Sequence, residues 1–136
     1  MAEYVELVVP GTPEYLSLIR LNAGSIASRL DMTLDELEDL ELAVDELCLS
    51  LLGGSASGAR LSLRIEWGDD LIDVRCRLLD APTKLAHEEP STATGLPESL
   101  SWQILDSLVD EHGEDTDDGV KVAWLRKRRQ RVLPQR

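Results

Sequence analysis

Glu46 and Ser50 are the two residues of this sequence whose types and spacing best fit chemistry on a helix. They lie four residues apart, so they project from the same side of a helix. Leu42 and Leu49, a heptad apart, flank Glu46 and indicate that this side of the helix is covered. A partly desolvated carboxylate is a candidate general base or metal ligand. The alternatives are that Glu46 belongs to an acidic solvated face, which the pattern weighs about equally, and that Ser50 is an exposed polar residue, which the pattern favours.

The helix that positions both residues is predicted over residues 34–52. Thr33 and Glu36 have the spacing of a capping box at its start, and two glycines from Gly53 onward end it. One face of this helix is apolar and should lie on a sheet. Its members recur at spacings of three and four: Leu37, Leu40, Val44, Leu47, Cys48 and Leu51.

The other elements follow from apolar periodicity and from turn residues. They are a strand over 4–9, a helix over 13–30, a hairpin of strands 61–67 and 71–79, a long loop over 80–97, a helix over 97–110, an acidic turn-like stretch over 110–119 and a last strand over 120–124. This order predicts an α+β fold, a two-layer α/β sandwich. Its mixed or mostly antiparallel sheet would be covered on one face by about three helices. Residues 1–125 would form a single domain and residues 126–136 a basic tail.

Charge is distributed unevenly along the chain. The net charge is −12, but six of the 14 basic residues lie in 126–136, so the first 125 residues carry −18. An acidic body repels phosphate backbones, which argues against direct nucleic-acid binding. The basic tail either binds something acidic or, as we expect more often, is a solvated and frayed end.

Cys48 and Cys76 each lie within an apolar periodic pattern. Two buried thiols are therefore expected rather than a disulfide, and this favours a reducing, cytoplasmic setting. No apolar run approaches the roughly 18 residues of a membrane span, and no charged segment followed by an apolar one resembles a secretory signal. We expect neither membrane binding nor export.

Residues 38–48, Glu-Asp-Leu-Glu-Leu-Ala-Val-Asp-Glu-Leu-Cys, resemble the N-box helix of the RsbW-type anti-sigma factors. These belong to the GHKL superfamily of histidine-kinase-like ATPases. In that family a carboxylate on this helix activates a water or hydroxyl, and an asparagine four residues later binds magnesium. The resemblance implies that Glu46 is the catalytic carboxylate and that Ser50 stands at the metal position. It also implies that Asp80 binds adenine and that Gly95 and Leu96 are the remnant of a second glycine box.

The nucleotide motifs depart from the family pattern. After Asp80 the family has glycines, whereas this chain has Ala81 and Pro82, which add side chains and remove a backbone donor. Ser50 is shorter than asparagine and would hold magnesium less directly. ATP and magnesium are thus implied as cofactors, but we expect weak or lost binding and slow or absent phosphoryl transfer.

Two functions follow from the resemblance. The first is an anti-sigma factor that sequesters an alternative sigma factor and is countered by a STAS-type anti-anti-sigma partner. It would act as a homodimer, with Leu16, Ile19 and Arg20 as candidate partner contacts, unless Leu16 and Ile19 are ordinary core. The second is an ATP-dependent protein serine kinase acting on the anti-anti-sigma partner. The departures favour binding over catalysis; a third interpretation is an acidic α+β domain whose helix matches by chance.

Overall fold

The computed structural model describes residues 3–53, 58–80 and 98–130. A short 3-10 helix, Pro13–Tyr15, precedes the first α-helix, so that helix begins three residues later than predicted. The elements in chain order are β1 (Glu3–Pro10), α1 (Leu16–Arg29), α2 (Leu34–Leu52), β2 (Arg60–Trp67), β3 (Leu71–Leu79), α3 (Glu98–Leu108), β4 (Glu111–Asp117) and β5 (Val120–Arg128).

Five strands form one sheet in the order β1-β2-β3-β5-β4, and every neighbouring pair is antiparallel. Alternate residues of β2 and β3, such as Leu63 and Val74, are buried on one face. All three helices pack against that core. The predicted α+β fold is confirmed, and the sheet is fully antiparallel. Within the described residues, no helix is both long and apolar enough to cross a membrane.

Helix α2 is defined by its capping residues, as predicted. The Glu36 backbone N–H donates to Thr33 Oγ1 at 3.1 Å, and the Thr33 N–H donates to Glu36 Oε1 at 2.9 Å. At the other end the Gly53 N–H donates to the carbonyl of Leu49 at 3.1 Å. These bonds satisfy backbone groups at both ends of α2 and define its limits.

Glu36 also joins α2 to the end of the sheet. Its second carboxylate oxygen accepts the backbone N–H of Gln130 at 2.7 Å, just beyond β5. Burial acts to raise the pKa of Glu36, but hydrogen bonds from the backbone of Thr33 and Gln130, with the nearby Lys127 charge, outweigh it and lower the pKa below its ordinary value. The ionised carboxylate therefore stabilises the folded state.

Glu36→Gln is expected to lower the free energy of unfolding by about 1 kcal/mol at neutral pH, because the amide keeps one acceptor and loses the charge. A carboxyl with a lowered folded pKa stabilises the protein above its unfolded pKa, about 4.3, and this stabilisation is lost as the pH falls through the folded pKa. Urea denaturation at pH 7 and at decreasing pH would show the two proteins converging in acid. Glu38→Gln, on the exposed side of the same turn, is the matched control and should show no such difference.

The acidic stretch predicted to be turn-like is instead the edge strand β4, so that prediction is wrong. Residues Glu111–Asp117 pair with β5 in register, with Asp117 opposite Val120. The turn is confined to Asp118 and Gly119, which both have positive φ, 51° and 78°. An aspartate–glycine pair is typical of a two-residue hairpin turn. Acidic side chains stand where a strand usually shows apolar alternation, which is why the sequence did not predict β4. They suit an edge strand, where they oppose pairing with another sheet.

The first part of the predicted basic tail is not a frayed end. Strand β5 continues through Arg128, and Arg126 forms ion pairs with Asp73 and Glu111. Lys127 is buried and donates to the carbonyl of Leu108, at the C-terminal end of α3, at 2.8 Å. Cations are favoured at helix C-termini, so the sheet supplies a cap to α3. Residues 131–136 lie outside the described part of the chain, and the domain limit at 125 stays a prediction.

Candidate functional site

Glu46 is buried on the side of α2 that faces α3. Only 8% of the residue is exposed, and its Oε1 accepts a hydrogen bond from the hydroxyl of Ser101. Ser101 lies in the first turn of α3 and is 1% exposed. Of the two alternatives for Glu46, the solvated acidic face is excluded, and the carboxylate is enclosed with a donor from its own chain.

The cover over Glu46 differs from the one predicted. Leu42 is 57% exposed and Leu49 is only partly buried, so leucines of α2 do not enclose it from both sides. Helix α3 does so instead. Ser101 and Leu105 of α3, with Val109 just beyond its end, are spaced by four residues and are all buried, which defines the face that α3 turns toward the core.

Ser50, the predicted metal position, is bonded to the edge strand. Its hydroxyl donates to Glu114 Oε1 at 3.2 Å. Glu114 is paired with the buried Ala123, so its side chain lies on the helix-covered face of the sheet. Sequence reasoning missed Glu114 because it missed β4.

Asp80, the predicted adenine contact, lies at the end of β3 with a φ of 58°. Its carboxylate forms a 2.6 Å ion pair with Arg60 at the start of β2, and both side chains are more than half exposed. This ion pair links β2 to the end of β3 at the open end of the hairpin. Gly95 and Leu96 lie outside the described residues.

The described residues that the resemblance implies for magnesium–nucleotide are each paired within the chain. Glu46 is bonded to Ser101, Ser50 to Glu114 and Asp80 to Arg60. Among the described ranges no group of three His, Cys, Asp or Glu residues could hold a metal ion. The structure does contain a polar cavity of about 380 Å³, whose lining includes Trp67, Asp69 and Arg129. It adjoins the turn where β3 begins, a strand length away from Asp80, roughly 26 Å at 3.3 Å per residue.

Cys48 and Cys76 join α2 to β3 in the middle of the core. Both are buried free thiols, as predicted, with their sulfurs 3.7 Å apart. The hydrogen bond with Cys76, together with burial, raises the pKa of the Cys48 thiol well above its ordinary value. Such thiols are packing groups rather than nucleophiles.

The candidate partner contacts on α1 separate into two classes. Leu16 and Ile19 are buried core residues, which is the alternative that the sequence left open for them. Arg20 is 44% exposed and forms a 3.2 Å ion pair with Asp45 of α2. Burial raises the pKa of Asp45 above its ordinary value, and Arg20 opposes that shift.

The leucines that α1 does expose are Leu18 and Leu21. Leu21 is 68% exposed, and the two lie three residues apart on the same side of the helix. Leu42 of α2 is exposed as well. Large apolar side chains at the surface indicate a binding site when a polar group near them can orient a partner. Here the Arg20–Asp45 ion pair is such a group.

Comparisons with known proteins relate most of the chain to one group. No family model matches. The chain is 31% identical to the serine-protein kinase RsbW of Bacillus subtilis over 92% of this chain and 86% of that protein. It is 32% identical to the anti-sigma-F factor RsbW of Mycobacterium tuberculosis over 79% of this chain and 58% of that protein.

A solved structure shares the fold. The crystal structure of the RsbU and RsbW domains of a Mycobacterium tuberculosis protein superposes with a TM-score of 0.63 and 16% identity, covering 96% of this chain and 33% of that one. The order of elements, the antiparallel sheet and the sequence similarity along nearly the full chain agree with the resemblance seen in residues 38–48. This chain belongs to the RsbW family.

Proposed function

We propose that this protein is an anti-sigma factor, which sequesters an alternative sigma factor of RNA polymerase by protein–protein binding. The observation that carries the proposal is the 31% identity with an RsbW protein over 92% of the chain. Sequestration needs a complementary surface and no reaction. Exposed leucines beside an ion pair on α1 and α2 support such a surface.

The surface we assign to the sigma factor is the exposed side of α1 with the adjoining part of α2. It offers Leu18 and Leu21 as apolar anchors beside the Arg20–Asp45 pair. Acidic residues line α2 along the same region, including Glu38 and Glu41. Charges of one sign around apolar anchors select a partner of opposite charge, and a sigma factor carries basic DNA-binding segments.

Release of the sigma factor would come from a competing STAS-type anti-anti-sigma partner that uses an overlapping surface. We further propose that the protein acts as a homodimer in the cytoplasm, where RNA polymerase and its sigma factors function. The two free thiols suit that reducing compartment.

Co-purification tests the proposal directly. The full chain would be immobilised and offered each alternative sigma factor of the source cell, with the housekeeping sigma factor as a negative control. We expect one alternative sigma factor to be retained, and a STAS-domain protein to elute it in proportion to its concentration. Failure to retain any of them would overturn the proposal.

A second candidate is an ATP-dependent protein serine kinase, which the name of the Bacillus subtilis relative favours. It requires that Glu46 be available to a substrate hydroxyl. Incubation with radiolabelled Mg-ATP and a STAS-domain partner tests it. Transfer of label to the partner that disappears in Glu46→Gln would establish the kinase.

A further inference from the structure

The side of α2 that carries Glu46 and Ser50 is filled by residues from distant parts of the same chain. Ser101 of α3 is 55 residues from Glu46 in sequence, and Glu114 of β4 is 64 residues from Ser50. These two bonds follow one another along α2, one turn apart. Together they attach α3 and the sheet edge to α2.

We infer that Ser101 is a structural anchor that occupies Glu46 from within the chain. With Ser50 bonded to Glu114 and Asp80 to Arg60, the described residues do not hold magnesium–nucleotide, so that partner binding is independent of it. The statement about partner binding rests on the proposed anti-sigma function. The statement about Glu46 and Ser101 stands on the geometry alone.

The bond suits a permanent contact for two physical reasons. A buried carboxylate needs donors, and Ser101 supplies one from the first turn of α3, where the helix dipole also favours negative charge. A hydroxyl or water from outside would have to displace Ser101. The displaced hydroxyl is 1% exposed and would be left without an acceptor, which is costly.

The neighbouring packing opposes such a displacement. Leu105 and Val109 continue the buried face of α3 from Ser101, so moving the hydroxyl away from Glu46 means moving apolar side chains out of the core. The bond between Ser50 and Glu114 is exposed, so Ser50 is held less firmly than Glu46. Glu46 is thus a residue that positions α3.

Thermal unfolding of the full chain tests the inference in two arms. In the first, millimolar Mg-ATP is added to the wild type, and we expect no change in Tm, since a ligand that binds the folded state must raise it. A saturable rise in Tm with Mg-ATP would overturn the inference. This arm needs no sigma factor, so its result is independent of the proposed function.

The second arm is a pair of variants at the bond. Ser101→Ala is expected to lower Tm by about 5 °C, because Glu46 remains buried without its donor. Adding Glu46→Leu to Ser101→Ala should restore most of that loss, since both polar partners are then removed. Ser99→Ala, on the exposed side of the same turn, is the control and should leave Tm unchanged. A Tm for Ser101→Ala equal to that of Ser99→Ala would overturn the anchor.

Glu46→Gln tests whether the bond between residue 46 and Ser101 needs the charge of the carboxylate. The amide oxygen still accepts from Ser101, so we expect a Tm close to that of the wild type. Once a sigma partner is in hand, its affinity for the wild type should be the same with and without Mg-ATP. A nucleotide-dependent change in that affinity would contradict the inference even where sigma binding itself is established.

Discussion

Leu21→Asp is expected to weaken binding of the sigma factor by about 30-fold or more. An apolar anchor at the centre of an interface contributes on the order of 2 kcal/mol, and each 1.4 kcal/mol is a tenfold change in Kd. Aspartate both removes the anchor and adds negative charge where a basic partner docks. Because Leu21 is 68% exposed, the variant should fold as the wild type does. Titration calorimetry or surface plasmon resonance with the purified sigma factor measures the loss.

The matched control is Leu34→Asp, the same replacement at an equally exposed leucine. Leu34 is 70% exposed at the start of α2, about 16 Å along the helix from Asp45 at 1.5 Å per residue. Its affinity for the sigma factor should stay within about twofold of the wild type. Equal binding by the wild type and Leu21→Asp would place the sigma site elsewhere on the molecule, and equal weakening by both variants would indicate a general charge effect.

The sequence predicts that α1 is a helix but does not predict which side of it is buried. Leucine and isoleucine occur on several sides of its first turns, so the pattern indicates a helix without indicating which side is buried. Burial of Leu16 and Ile19 and exposure of Leu18 and Leu21 are decided by contact with α2 and the sheet. Such contacts depend on the whole fold, and a local pattern cannot supply them.

Elements with local signals were predicted well. The capping box and Gly53 define α2, and alternation defines β2 and β3. Strand β4 lacks apolar alternation, and Thr116 is its one β-favouring residue. Its signal in the sequence is the Asp118–Gly119 turn, which joins it to β5. An edge strand solvated on most sides is held by its neighbour rather than by its own composition.

The candidate site was predicted in part for the same reason. The burial of Glu46 was one of two alternatives that α2 alone left open. Its partner Ser101 lies on a helix 55 residues away, and the clue in the sequence is the four-residue spacing from Ser101 through Leu105 to Val109. The resemblance implies external ligands for Glu46 and Ser50, whereas the structure pairs each with a residue of its own chain.

Leu105→Ala is expected to lower the free energy of unfolding by about 3 kcal/mol. Leu105 is buried in the core that α3 shares with α2, and truncation of a buried leucine loses its transfer free energy and leaves a cavity. Urea denaturation at neutral pH measures the change through the midpoint at constant slope. Leu100→Ala, at a residue of the same helix that is 38% exposed, is the control and should fall within about 0.5 kcal/mol of the wild type.

This pair of variants decides whether α3 is part of the core or a segment that detaches. A detachable α3 would leave the two alanine variants equally stable and would free Glu46 for outside ligands. If α3 is integral, Leu105→Ala and Ser101→Ala act on one interface four residues apart, and their effects on stability should be non-additive. Full additivity would mean that the hydroxyl and the leucine stabilise separate units, and the bond to Glu46 would then open without unfolding the core.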